Sequence, residues 1–265
     1  MRQTRAVAQV LCPVVVGREV EVRALESALD GALAARGGCV VITGEAGIGK
    51  SRLVSELVRM AARRGVMVVS GRAVPASTTT AYRPVTEALL ELLRSRPVPD
   101  DPSLGPWLWH LAALVPGVLA AGALAESVSM ADADTIRGEA VLRLLGRVSP
   151  EGLVVAFEDM HWADPDTVAL LEYLADNADG QPLLFVMSLR AEPPSPAAHL
   201  VRRQRGRPGV LHLALDRLSE REVADMIALC RPDADAAECL RIVRASDGVP
   251  LLVEELEPPW IHRRL

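Results

Sequence analysis

The run Gly44-Glu45-Ala46-Gly47-Ile48-Gly49-Lys50-Ser51 constrains the fold of this chain more than any other stretch. Before it lies Cys39-Val40-Val41-Ile42-Thr43, short, apolar and β-branched, which reads as a buried strand. After it, from about Lys50 to Arg63, apolar residues recur at helical spacing and Gly65 follows. A glycine-rich turn between a strand and a helix lets successive backbone N–H groups converge at the positive end of the helix dipole, which makes an anion cradle. The spacing GxxxxGK[ST] adds a lysine that reaches the β- and γ-oxygens of a polyphosphate and a hydroxyl, Ser51, that ligates Mg²⁺. Gly44 through Ser51, with Arg52 in the first helical turn, are therefore the candidate nucleotide-holding positions. A chance glycine turn is the alternative, and the flanking strand and helix argue against it.

Composition sharpens the case for Lys50. Of 29 basic residues it is the only lysine, so every other cation is arginine. A coding bias toward arginine leaves lysine only where a planar guanidinium fails and a compact ammonium on a flexible stem is needed.

Further apolar runs at Val66–Ser70, Leu153–Phe157, Pro182–Leu189 and Val210–Leu215 read as strands. Helical patterns run over Glu19–Ala35, Asp134–Val148 and Pro165–Ala178. Strands alternating with such helices imply crossover units and a parallel sheet covered on both faces. The expectation is an α/β fold: a parallel five-stranded sheet flanked by helices, with a mostly helical insertion over about 73–131. From Ser219 the pattern turns helical. Ser219 and Glu222 have the spacing of a capping box, a second helix runs over Ala234–Ala245, and Gly248-Val249-Pro250 precedes a third. This is the start of a small helical lid. The expected division is an extension over 1–15, a core over 16–217, a partial lid over 218–257 and an irregular tail over 258–265.

Several function classes are disfavoured. A formal net charge of −5 provides no global field for nucleic acid. Cys12, Cys39, Cys230 and Cys239 show no CxxC and no zinc-type spacing with the histidines, as expected of reduced thiols in a cytoplasmic protein. The segment Ala6–Val16 behind Arg2 and Arg5 imitates a secretion signal, but Pro13 interrupts it and no small-residue cleavage site follows. The uncharged stretch Ser103–Ala125 has the length of a membrane span, yet Pro106 and Pro116 break it and acids flank it, so two buried helices broken at Pro116 are expected.

Phosphate chemistry needs acids at the end of a neighbouring strand. Leu153-Val154-Val155-Ala156-Phe157 delivers Glu158-Asp159, where one carboxylate steadies Mg²⁺ through water and the other orients the attacking water. By position Glu158 is assigned to the metal and Asp159 to water activation, with the swapped order open. Asp164 before Pro165 reads as a helix cap. His161 and Trp162 line the phosphate side or, equally, are a hydrogen-bonded histidine and a packed tryptophan. Arg190 ends the fourth strand at the same carboxyl edge and is a candidate sensor of the γ-phosphate.

With these residues in view, the chain resembles the STAND branch of the AAA+ P-loop ATPases, in particular the ATPase module of large LuxR-type transcriptional regulators. The resemblance spans roughly Val16 to Leu256 and rests on Val16-Gly17-Arg18-Glu19, GEAGIGKS, the FEDMHWADP run, Ser188-Leu189-Arg190, Gly248-Val249-Pro250, and Tyr82-Arg83-Pro84 with the helical insertion behind it. It implies that Gly17, Arg18 and Pro250 border the adenine. Asp216-Arg217-Leu218 departs from the family's Pro-Leu pair at that place, and the winged helix, repeat sensor and helix-turn-helix of such regulators are expected to belong to parts of a parent outside this sequence.

The resulting expectation is a signalling switch: ATP or ADP with Mg²⁺ binds between sheet edge and lid, and slow hydrolysis resets it. The resemblance further implies signal-dependent self-association of a full-length parent and a resting monomer, while charge and hydropathy lead to no membrane and no direct nucleic-acid partner being expected for this chain. The alternatives are a module that holds ADP structurally, the same module from a cyclase- or kinase-fused regulator, or a chain whose incomplete lid leaves it without function.

Overall fold

The computed structural model describes residues 14–75, 81–112, 114–115, 118, 133–190 and 195–256. Its strands are β1 (Gly38–Thr43), β2 (Met67–Arg72), β3 (Leu153–Glu158), β4 (Leu183–Leu189) and β5 (Val210–Ala214). They form one parallel sheet in the order β2-β3-β4-β1-β5. The chain leaves β1 for the far edge, returns through β3 to β4 beside β1, and then crosses to β5. That reversal beside β1 makes the carboxyl edge there the natural ligand crevice.

Central strands buried on both faces need continuous apolar runs, and every residue of β1 and β4 is buried. Alternate side chains divide between two layers. Val40, Ile42, Val154, Ala156, Leu184 and Val186 pack with α1 (Glu19–Leu33) and α2 (Lys50–Arg63). Cys39, Val41, Val155, Phe157, Phe185 and Met187 pack on the other side with α3 (Arg83–Ser95), α4 (Gly105–Leu111), α5 (Ala133–Val148), α6 (Pro165–Asp176) and α7 (Pro196–Gln204).

Two sequence expectations shift. The second strand starts at Met67 and runs on to Arg72, because its ladder with β3 continues from Met67↔Leu153 to Arg72↔Glu158 past the end of the β-branched run. Of the two helices expected over Ser103–Ala125, the first is a 3-10 turn at Pro102–Leu104 leading into α4. The second lies outside the described residues, as do the extension up to residue 13 and the tail from residue 257. Among the described residues no helix is long and apolar enough to cross a membrane.

The lid consists of α8 (Glu220–Cys230), α9 (Ala236–Ser246) and α10 (Pro250–Leu256). Its first helix starts with the expected capping box, Ser219 and Glu222 each satisfying the other's backbone N–H. Leu218, Val223, Met226, Ile227, Ile242 and Val253 give it a core of its own, against which Val16 packs.

Candidate functional site

The register of the sheet brings Thr43, Leu189 and Glu158 to one edge, so the residues that follow them, Gly44, Arg190 and Asp159, leave the sheet together. The loop after β1 turns through Gly47 at φ +75° and Gly49 at φ +104°, conformations that side chains with a Cβ rarely adopt. A Cβ at Gly49 would meet nothing within 4 Å, so the backbone there faces open space at the start of α2. Lys50 is buried, and its Nζ donates to the carbonyls of Gly44 at 2.9 Å and Glu45 at 2.7 Å, folding the loop around its own ammonium. Burial lowers the Lys50 pKa, the charge of Arg190 lowers it further, and Asp159 opposes both.

Asp159 sits at φ +56°, a left-handed conformation just past the end of β3. It accepts from Arg72 Nε at 2.7 Å and Nη2 at 2.5 Å, both on Oδ2. Sequence reasoning missed Arg72. Its only signal is a place at the end of β2, and the pairing that sets it beside Glu158 joins distant parts of the chain. Glu158 is partly buried at the end of β3, and its carbonyl accepts from Ala73 N at 3.0 Å.

His161 is neither a cavity wall nor a hydrogen-bonded histidine: both ring nitrogens are buried without a partner among the described residues. Burial lowers its pKa, the nearby Asp159 carboxylate opposes that, and Arg190 and Lys50 reinforce it. Trp162 stands 45% exposed, tilted against the His161 ring at 5.0 Å between centroids. Asp164 is a cap, as expected, accepting from Thr167 N at 2.9 Å.

A cavity of about 530 Å³ opens between this edge and the lid. Ala46, Gly47, Ile48, Gly49, Lys50, Ser51 and Arg52 form its loop and helix wall, and Asp159 and Arg190 close its sheet side. Arg18 and Pro250 also line it, Pro250 next to Leu251, whose N donates to the Gly47 carbonyl. Gly17, Gly44, Glu45 and Glu158 do not line it. Gly17 instead supplies a left-handed turn at φ +66° that leads into α1. Arg18 is buried, its Nη2 donating to the Asp216 carbonyl, with Glu21 3.6 Å away. Sequence reasoning did not single out the apolar residues that complete the lining, Val14, Val15, Leu218, Met226 and Leu251, or the carboxylate of Glu254.

The arrangement fits a nucleoside polyphosphate. Backbone N–H groups at the start of α2, a buried ammonium and a guanidinium face the end suited to phosphates, while aliphatic walls suit a base. Of the cavity's lining residues, Ser51 and Asp159 carry oxygens that suit a divalent cation such as Mg²⁺, and Glu158 precedes Asp159 just outside the lining.

A family model described as "AAA ATPase domain" matches residues 14–186. The uncharacterized protein R02095 of Rhizobium meliloti (strain 1021) is 31% identical over 278 residues, which cover 94% of this chain and 25% of that protein. Among solved structures, the Signal Transduction ATPase with Numerous Domains protein with a tetratricopeptide repeat sensor, PH0952 from Pyrococcus horikoshii, is similar with a TM-score of 0.54 at 18% identity, covering 91% of this chain and 29% of its own. The Aeropyrum pernix ORC2 protein, in ADPNP–ADP complexes, is similar with a TM-score of 0.53 at 15% identity, covering 94% and 62% respectively. At these identities the two structures share the fold. The chain spans 25% of the length of the curated relative it matches.

Proposed function

The chain belongs to the AAA ATPase domain family, and on that premise we propose that its cavity binds ATP and ADP with Mg²⁺ as the switch of a STAND-type signalling ATPase from a LuxR-type regulator. One observation carries the reading: the phosphate loop and the lid close on the same cavity, with Leu251 N donating to the Gly47 carbonyl at 3.2 Å. A lid that touches the loop directly is placed to respond to what the loop holds, and a switch requires contacts that differ between ATP and ADP.

In this reading the loop N–H groups and Lys50 hold the β- and γ-phosphates, and Ser51 and Glu158 hold the metal, the latter through water. Bound Mg²⁺ supplies charge neutralisation on the phosphate oxygens. Asp159 orients the attacking water, and Arg190 contacts the γ-phosphate from the sheet side. Arg18, Gly17 and Pro250 border the adenine end. Hydrolysis is slow and resets the switch, and self-association belongs to the longer parent protein.

The test is thermal unfolding with and without Mg²⁺ADP and Mg²⁺ATP, beside Lys50→Ala. A ligand at about 100 times its dissociation constant adds about 2.7 kcal/mol. A rise in the midpoint that Lys50→Ala abolishes supports the reading, and a flat response from a cooperatively unfolding chain overturns it.

A further inference from the structure

Arg217, between Asp216 and Leu218 after β5, has no part in the nucleotide reading, yet it reaches in two directions. Its Nε and Nη2 donate to Glu45 Oε2 at 3.2 and 2.8 Å, and its Nη1 pairs with Asp247 Oδ2. Glu45 is the second residue of the phosphate loop. Asp247 ends α9 in a left-handed conformation, φ +48°, immediately before the segment that leads into α10. Three stretches of chain thus meet at one guanidinium: the loop before α2, the exit of β5 and the turn between two lid helices.

The backbone closes the same seam. Leu218 N donates to the Gly248 carbonyl at 2.8 Å, beside the Leu251 contact to Gly47. The fit at Gly248 leaves no space, since a Cβ there would stand 2.3 Å from the Leu218 carbonyl oxygen. None of the three side chains lines the cavity.

We propose that Arg217 is a positioning residue that clasps the phosphate loop to the lid, so that bound nucleotide leaves only when the clasp opens. The proposal rests on the nucleotide reading and adds to it the element that sets the rate of nucleotide release. Arg217 acts through loop and lid rather than by touching the ligand. Glu45 and Arg217 are 58% and 44% exposed, so the pairs are weak individually and screened by salt. The expected effect is accordingly modest, about three- to fivefold on the release rate.

The experiment is stopped-flow release of a fluorescent ADP analogue from the wild-type chain, Arg217→Gln, Asp247→Asn, the double variant and Arg217→Lys. Asparagine tolerates the left-handed conformation of Asp247, so that substitution removes charge without a backbone penalty. The clasp requires release about three- to fivefold faster at low salt in Arg217→Gln, with association unchanged and the salt dependence of wild-type release lost. It also requires the double variant to release no faster than Arg217→Gln alone, and Arg217→Lys to recover part of the slow release. Release at the wild-type rate in Arg217→Gln, or additive effects of the two substitutions, overturns the clasp while leaving the nucleotide site standing. A wild-type chain that does not bind the analogue overturns the nucleotide reading itself, and the clasp with it.

Discussion

Arg72, the last residue of β2, directs both Nε at 2.7 Å and Nη2 at 2.5 Å onto a single oxygen of Asp159, Oδ2. The carboxylate is thereby held by one oxygen, on a backbone whose φ of +56° lies in the left-handed region. Under the proposed role of Asp159, Oδ1 is then the oxygen presented to water.

Replacing Arg72 by alanine frees that carboxylate to rotate. The expected outcome is a fall in kcat for ATP hydrolysis of about tenfold with KM little changed, the size typical of losing a partner that orients a reacting group. Steady-state phosphate release checks it. An unchanged kcat means that Asp159 keeps its pose without Arg72, or that it does not act on the water.

The two acids separate by different measurements. Asp159→Asn is expected to lower hydrolysis by about 100-fold or more while Mg²⁺ADP still raises the unfolding midpoint, because general-base assistance is lost and binding is not. Glu158→Gln is expected to raise the Mg²⁺ concentration needed for half-maximal hydrolysis. The reverse pattern would swap their roles.

Gly71 is tested by stability. A Cβ there would lie 1.8 Å from the carbonyl oxygen of Pro84, so Gly71→Ala must push α3 off β2. The expected cost is about 3 kcal/mol, at the upper end of overpacking penalties, because backbone rather than a flexible side chain has to yield. Urea unfolding measures it, and a loss below about 1 kcal/mol would show that the α3–β2 contact slides easily.

His212 carries a pH dependence. Its Nε2 lies 2.9 Å from Thr43 Oγ1 between β5 and β1. Burial lowers its pKa from the ordinary 6.5, and the charge of Arg205 adds to that. The unfolded chain therefore binds the proton more readily. The contribution of His212 is complete above about pH 6.5 and is lost as pH falls below it toward the folded-state value. His212→Gln keeps a hydrogen-bonding group and removes the titration, so its urea midpoint should fall less between about pH 7.5 and 5.5 than that of wild type. Equal falls would assign the acid loss to other groups.

The strands, the helices α1, α2, α5 and α6, the caps at Asp164 and Ser219 and the phosphate loop were legible along the chain, within a residue or two at most ends, whereas α7 was not read. Their causes are local. Apolar period and β-branching select the strand, and a capping side chain bonds a backbone N–H three residues on. Where reading failed, the cause was tertiary: the ladder that carries β2 on to Arg72 depends on its neighbour β3, and the His161 ring nitrogens are buried with no partner among the described residues.

The amino-acid sequence by itself determined that a glycine-rich turn with a lone lysine would join a buried strand to a helix, because contiguous residues set that backbone path. Only the tertiary structure decided what surrounds the turn. Asp159 receives Arg72 from 87 residues away, and Glu45 receives Arg217 from 172 residues away. Such pairs follow from strand order, register and the docking of the lid, which arise from burying two faces of a sheet at once, and no spacing along the chain encodes them.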